Sequence, residues 1–387
     1  LPAIFPSVRH LPTLTLLVTV LALHFVAWRW LMAVPGIRSS FAKRSLVSLA
    51  AAALVALLTG GFSLSLATVA RAVPPGAWVA WTEAAALGWA LFSFGGFAAL
   101  WLWRLGPRFD PGRRRWLKRA AGLAVAAPAA AGGAGIIVAR AGLAAREVSL
   151  RLDGLPRDLD GLRLAQLTDI HLSPFLSARE LARAVDMANE FRAHLALVTG
   201  DLITGRGDPL DACLRELARL KASDGIYGCL GNHEGYTRAE SYCARQGRRL
   251  GIDFLRGENR LLRFGGASMN LAGVDYQTMG GPYLVGAETL RREGCFNVLL
   301  SHNPDVFPTA ARQGYSLTLS GHTHGGQLAL SLFGLSLNVV RLFTPYVRGL
   351  YRRGCAAVYV STGIGTVGLP LRIGASPEVT LIRLCAS

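Results

Sequence analysis

Five short clusters in this sequence hold residue types that bind metal ions. They are Asp169-Ile170-His171, Gly200-Asp201, Gly231-Asn232-His233-Glu234, the single His302, and Gly321-His322-Thr323-His324-Gly325-Gly326. Five of the chain's eight histidines lie in them. Asp and His together with a neutral Asn form a mixed oxygen and nitrogen donor set. Such a set suits Mn, Fe, Zn or Co better than Ca or Mg, which prefer all-oxygen shells. No cysteine falls within the clusters, so a thiolate site is not expected. Asp169 and His171 are two residues apart, and a turn can point both at one ion. His322 and His324 share that spacing and could serve two neighbouring ions. The candidate ligands are too many for one tetrahedral zinc; they fit two ions about 3.5–4 Å apart that share a carboxylate. Taken singly each cluster is weak, since a histidine at a strand end is commonly a hydrogen-bonded surface residue. Their joint occurrence carries the expectation. His10, His24 and His194 lie outside the pattern and are given no role.

The clusters can cooperate only if the fold gathers them. The pattern predicts strands at Leu162–Thr168, Leu195–Thr199, Gly225–Leu230, Val298–Ser301 and Leu317–Ser320, each running into one of the clusters. Further strands are expected near Val148–Leu152, Leu261–Phe264, Met269–Ala272, Val358–Ser361 and Val379–Arg383. Helices are expected at Ala178–Phe191, capped by Ser177 with Glu180 in the reciprocal position, at Pro209–Leu220 with Asp208 as cap, and near Ala239–Arg248. Open α/β sheets bind ligands at the carboxyl ends of their strands, where these clusters fall. A layered α/β fold or sandwich with helices outside is the expected class.

The rest of the chain has a different character. The 387 residues carry a net charge of +17, and hydrophobic residues make up 51%, with a mean hydropathy of +0.35. This excludes a disordered, collagenous or coiled-coil chain. Residues 1–147 hold 15 basic against 3 acidic residues, and residues 148–387 hold 26 against 21. Four apolar stretches (11–32, 46–70, 80–102 and 117–138) each approach the ~20 residues of a membrane-crossing helix. The expected organisation is a membrane region over 1–140, a connector over 141–157 and a catalytic domain over 158–387. Arg38, Lys43 and Arg44 lie in the first connecting loop, and seven basic residues lie between Arg104 and Arg119 in the third. The excess of basic residues puts those loops in the cytoplasm and the following domain outside. The expected location is a cell membrane, multi-pass, with the domain on the extracytoplasmic side. Basic runs beside spans are explained by topology or anionic lipid, so no nucleic-acid partner is expected. No obligate protein partner is evident either. Six cysteines in the second part permit disulfides without requiring them, and no CxxC pair suggests a structural zinc.

The order Asp-x-His, Gly-Asp, Gly-Asn-His-Glu, His, Gly-His-Thr-His resembles the calcineurin-like metallophosphoesterases over about residues 148–387. The run Ser320–Gln327, with Gly349-Leu350-Tyr351, Ser361–Gly365 and Leu369–Arg372, resembles a bacterial membrane-associated branch that includes phosphodiesterases and UDP-2,3-diacylglucosamine hydrolases. The resemblance implies a two-sheet αββα sandwich and two divalent ions, manganese first among them. It implies that Asp169, His171, Asp201 and His324 hold one ion and that Asp201, Asn232, His302 and His322 hold the other, with Asp201 shared. His233 would act on the phosphate or leaving group. Many members carry a second Asp three residues after the bridging one, orienting that histidine. Here Thr204 stands in its place, with Glu234 as an acid nearby.

The implied activity is hydrolysis of a phosphomonoester, phosphodiester or pyrophosphate bond. A lipid or lipid-linked phosphate is favoured, because residues 328–350 form an apolar stretch with arginines directly after the histidine pair. A cytoplasmic domain would instead favour UDP-2,3-diacylglucosamine. A metal-binding sensor or scaffold without catalysis is the alternative that Thr204 leaves open. A transporter is disfavoured, since Glu83 is the sole acid within the apolar stretches.

Overall fold

The computed structural model describes residues 6–33, 35–69, 77–105, 130–278, 280–332 and 335–387. The chain divides into two compact units, Leu1–Ala134 and Gly135–Ser387.

The first unit is helical: α1 (Pro6–Met32), the short α2 (Pro35–Arg38), α3 (Phe41–Val69) and α4 (Ala77–Leu105). Val20 of α1, Leu58 of α3 and Ala90 of α4 meet in a small buried cluster. A side chain at Gly61 would collide with Ala86, so α3 and α4 approach through small residues. Among the described residues one stretch, Phe41–Gly61, is long and apolar enough to cross a membrane, with a mean hydropathy of 1.7. Leu17–Met32 and helix α5 (Ala130–Ala141) are apolar but shorter. The expectation of four spans therefore reduces to one candidate among these residues. Most of the fourth expected span, 117–138, lies outside the described residues.

The second unit is a two-sheet sandwich. One six-stranded sheet runs in the order β1 (Ala144–Leu152), β14 (Glu378–Ala386), β2 (Arg163–Leu167), β3 (Leu195–Thr199), β4 (Ile226–Cys229), β5 (Ile252–Phe254). The other runs β12 (Gly349–Arg353), β13 (Ala356–Val360), β9 (Leu317–Ser320), β8 (Phe296–Leu300), β7 (Ala267–Gly273), β6 (Glu258–Phe264). A hairpin of β10 (Ala329–Leu332) and β11 (Leu335–Asn338) stands apart from both.

Alternation along the strands builds the layers. In β3, Leu195 and Leu197 enter the core between the sheets, where they join Leu164, Val298, Leu300, Leu317 and Leu319. Ala196 and Val198 point the other way, under helices α6 (Ala178–Glu190) and α7 (Leu210–Leu217). Helix α6 begins with the expected capping box of Ser177 and Glu180. Helix α7 starts later than expected, after Pro209, and Asp208 does not cap it. Instead its carboxylate accepts from the backbone N–H groups of Thr204 and Gly205 at 2.9 and 2.7 Å. On the outer face of the second sheet, Ala272 and Leu299 pack with Val306 and Ala310, the latter from the helix Phe307–Arg312. Strands β2, β3, β4 and β5 are parallel, as are β7, β8, β9 and β13. Each sheet therefore presents a row of carboxyl ends.

Candidate metal centre

Five of those strand ends supply the polar groups. Asp169 and His171 follow β2, Asp201 follows β3, and Asn232 opens the short helix α8 (Asn232–Thr237) after β4. His302 follows β8, and His322 and His324 follow β9. The backbone is bent to aim them. Among the described residues nine non-glycine residues have positive φ, and Asp169, His171, Asp201, His322 and His324 are five of them. That conformation is unfavourable for residues with a Cβ, and its clustering here marks a site over-determined by its surroundings. Two glycines make room. A Cβ at Gly231 would overlap the Asp201 carboxylate, and one at Gly321 would overlap that of Asp169.

The donor atoms converge. His171 Nε2 lies 3.1 Å from His324 Nε2 and 3.5 Å from Asp201 Oδ2. His324 Nε2 is 3.4 Å from Asp169 Oδ1. On the other side His302 Nε2 approaches Asp201 Oδ2 to 3.0 Å. Three groups of potential ligands result: Asp169, His171 and His324; His171, Asp201 and His233; Asp201, His302 and His322. Asp201 belongs to two of them. Asp169, His171, His302 and His324 are buried, while His233 and His322 are partly open to solvent.

The residues outside the cluster fix its tautomers. His302 Nδ1 donates to the Thr199 carbonyl at 2.7 Å, which points Nε2 inward at the cluster. His171 Nδ1 sits 3.2 Å from Thr204 Oγ1. Despite the short approach to Asp201, His302 Nε2 has no aligned hydrogen bond, and buried Asn232 Oδ1 has no partner either. A buried acceptor without a partner and a buried imidazole nitrogen held against a shared carboxylate are atoms that a cation would satisfy. The donor set therefore fits divalent ions.

Charge tells the same story. Burial drives the imidazoles of His171 and His322 down to about 3, and pushes that of His324 well below its ordinary range. They stay neutral, as ligands must be. Burial also opposes charge on His302, but the Asp201 and Asp169 carboxylates outweigh it and push the imidazole up to about 10. Burial raises Asp169 to about 6, and Asp201 adds to the rise. Burial would raise Asp201 too, yet His302, His233 and His171 hold it well below the usual carboxylate range. The field at this point favours positive charge.

Residues 162–326 match the family model of the calcineurin-like phosphoesterases. An uncharacterized metallophosphoesterase of Bacillus subtilis, YkuE, is 31% identical over 287 residues, covering 70% of this chain and 97% of that one. The chain belongs to this family. It is a metal-dependent hydrolase with a dinuclear site. A zebrafish (Danio rerio) transmembrane protein with metallophosphoesterase domain is 31% identical over 62% of this chain. An uncharacterized metallophosphoesterase of Helicobacter pylori J99 is also 31% identical, again over 62% of this chain. The chain spans 56% and 63% of the length of those two relatives.

The phosphoesterase orients His233 without the usual second aspartate. His233 Nδ1 donates to the Thr204 backbone carbonyl at 2.5 Å, so the position that lacks a carboxylate still provides the acceptor. Glu234 has a different task from the one its place beside His233 invited. It is fully buried and accepts from the N–H groups of Asp201 (3.0 Å), Leu202 (2.8 Å) and Gly231 (2.8 Å), clamping two ligand loops together.

Three further residues border the site. The Tyr236 ring is 5.4 Å from His233, and that of Tyr276 is 5.4 Å from His322. Tyr276 follows the carboxyl end of β7, so the same strand-end rule could have found it. Arg372 is wholly buried, and its guanidinium donates to the carbonyls of Thr362, Gly363 and Ala375. It also lies 3.4 Å from His324 Nδ1, and burial lowers it to about 10. The Leu369–Arg372 run drew notice only by resemblance, and no local signal shows that its arginine is satisfied by backbone oxygens beside the site.

Proposed function

We propose that this enzyme is a membrane-associated, two-metal phosphoesterase that hydrolyses a phosphate ester of a lipid or lipid-linked substrate. One ion would be held by Asp169, His171, Asp201 and His324. The other would be held by Asp201, Asn232, His302 and His322. Manganese is the preferred metal, with Fe, Zn or Co suited to the same donors. The carrying observation is the buried cluster in which Asp201 is shared between two groups of candidate ligands, with His302 Nε2 3.0 Å from its Oδ2. Such ions, when bound, neutralise phosphate oxygens and make a water acidic enough to attack phosphorus.

The chain's own residues supply the rest. His233, tethered through Nδ1, has its other ring nitrogen free to donate to a phosphate or leaving oxygen when protonated. The tether leaves no need for a second aspartate, which removes the sequence-level reason for a non-catalytic scaffold. Tyr236 and Tyr276 would border the substrate. Their ring edges suit a group larger than inorganic phosphate.

The multi-pass arrangement, the cell-membrane location and the extracytoplasmic side remain part of this proposal, on the strength of the basic loops. A reporter fused after Arg151 tests them. An extracytoplasmic result is expected, and a cytoplasmic one would make UDP-2,3-diacylglucosamine the leading substrate. Catalysis is tested with Mn²⁺ and an aryl phosphodiester. Metal-dependent turnover is expected, and Asp201→Asn should abolish it together with part of the bound metal. A fully loaded protein that leaves every phosphoester intact would refute the enzymatic reading.

A further inference from the structure

Residues 328–353 directly follow the histidine pair and contain four arginines, Arg341, Arg348, Arg352 and Arg353, with no Asp or Glu. All four arginines are exposed, and among the described residues none forms an ion pair. Between them the turn Val339–Leu342 and Phe343 present large apolar side chains to solvent; Leu342 is 81% exposed and Phe343 66%. A soluble surface normally mixes both signs of charge and keeps such side chains scattered.

This lip is not a loose loop. Asn338 Nδ2 donates to the Gly325 carbonyl at 3.2 Å, and its Oδ1 accepts from Val340 N at 3.1 Å. Thr323 Oγ1 donates to the Val347 carbonyl at 2.5 Å. Thr344 Oγ1 donates to Asp305 Oδ1 at 2.5 Å. Thr323 lies between His322 and His324, so both ends of the lip are fastened to the loop that carries two of the metal-site histidines.

We infer that residues 338–353 dock on the surface of an anionic phospholipid bilayer, with Leu342 and Phe343 entering the acyl boundary and the arginines meeting headgroup phosphates. Apolar tips flanked by four arginines match that surface in polarity and charge, and the one acid bonded to the segment, Asp305, is partly buried and engaged by Thr344. The same chain carries a stretch able to cross a membrane, so a bilayer is within reach. Docking there would present the metal site to phosphates at the bilayer surface. This consequence rests on the phosphoesterase reading, whereas the docking does not.

The test uses the full chain in nanodiscs of phosphatidylcholine alone, and of phosphatidylcholine with phosphatidylglycerol in equal parts. Backbone hydrogen exchange is followed across 338–353, and turnover of a soluble aryl phosphodiester in parallel. Exchange should slow about tenfold in the anionic discs and much less in the neutral ones. The triple variant Arg341→Gln/Leu342→Ser/Phe343→Ser should lose that protection and keep soluble turnover. Arg348→Gln/Arg353→Gln, which leaves the apolar tip intact, should lose part of it. Equal exchange in both discs, or protection that survives the triple variant, overturns the docking surface. Absence of soluble turnover in the unaltered protein would instead strike the phosphoesterase reading and leave the exchange result to stand.

Discussion

Asp208 touches neither ion site nor cleft histidine, yet it should control turnover. Its carboxylate accepts from Thr204 N–H and Gly205 N–H, and Thr204 O is the acceptor that holds His233. Asp208→Ala removes both bonds. Hydrogen bonds to a charged acceptor contribute roughly 1.5–3 kcal/mol each, and water replaces part of this at a half-buried position. About 1.5 kcal/mol of lost restraint on the Thr204 carbonyl then reaches His233, which corresponds to about a tenfold drop in kcat. No proposed ligand bonds to Asp208, so metal content should be unchanged. Asp208→Asn keeps an acceptor oxygen and should restore most of the rate. Thr204→Ala is the counterpart. It keeps the carbonyl but removes the Oγ1 beside His171, so it should weaken metal affinity about tenfold and leave kcat at saturating metal near normal. The assay is steady-state turnover of an aryl phosphodiester at saturating Mn²⁺, with metal counted by mass spectrometry. An Asp208→Ala enzyme within twofold of the parent, or one whose rate falls only in proportion to lost metal, would refute this division of labour.

Other expectations follow from the same geometry. Glu234→Gln puts an amide N–H₂ against at least one of three backbone donors, so it should cost about 2–3 kcal/mol of stability, read by denaturant unfolding. In chelator-treated protein, His171, His322 and His324 are neutral when folded but protonate from 6.5 downward when unfolded. Their share of stability is present above that pH and is lost as pH falls through it. Asp169, raised to about 6, takes up a proton in the folded state and offsets one of the three. Glu234, which burial and Asp201 also raise, offsets further in the same sense, so the net acid loss is about one to two protons, on the order of 1–3 kcal/mol per pH unit. His302, raised to about 10, acts in the opposite sense, contributing below 6.5 and losing its contribution as pH climbs toward 10. Melting temperature against pH should then peak near 6.5 without metal, and added Mn²⁺ should flatten the profile. A monotonic rise through pH 10 in the chelated protein would contradict the assignment of His302.

The ligand types were legible in the sequence because each cluster follows an apolar run of strand length. In a parallel sheet, carboxyl ends fall on one edge, so period and order put Asp169, Asp201 and Asn232 on one edge and His302 with the His322/His324 pair on another, while the stacking of the two sheets brought those edges together. The Ser177–Glu180 cap was readable because it depends on neighbours within a few residues, whereas the strand pattern alone left a layered α/β fold or a sandwich open and the two-sheet form came with the family resemblance. Asp208 misled because an acid before a helix and an acid supporting a loop look alike in one dimension. Only the folded backbone shows which N–H groups it reaches.

The sequence by itself determined that a charged, metal-binding set of side chains had to be gathered at strand ends, because residue type and periodicity are local properties. Tertiary structure decided what each side chain does there. It alone placed the Thr204 carbonyl on His233, folded Glu234 back across Asp201 and Gly231, and surrounded Arg372 with backbone oxygens. Those contacts join chain segments that share no local pattern, and backbone groups carry no residue identity for a sequence to display.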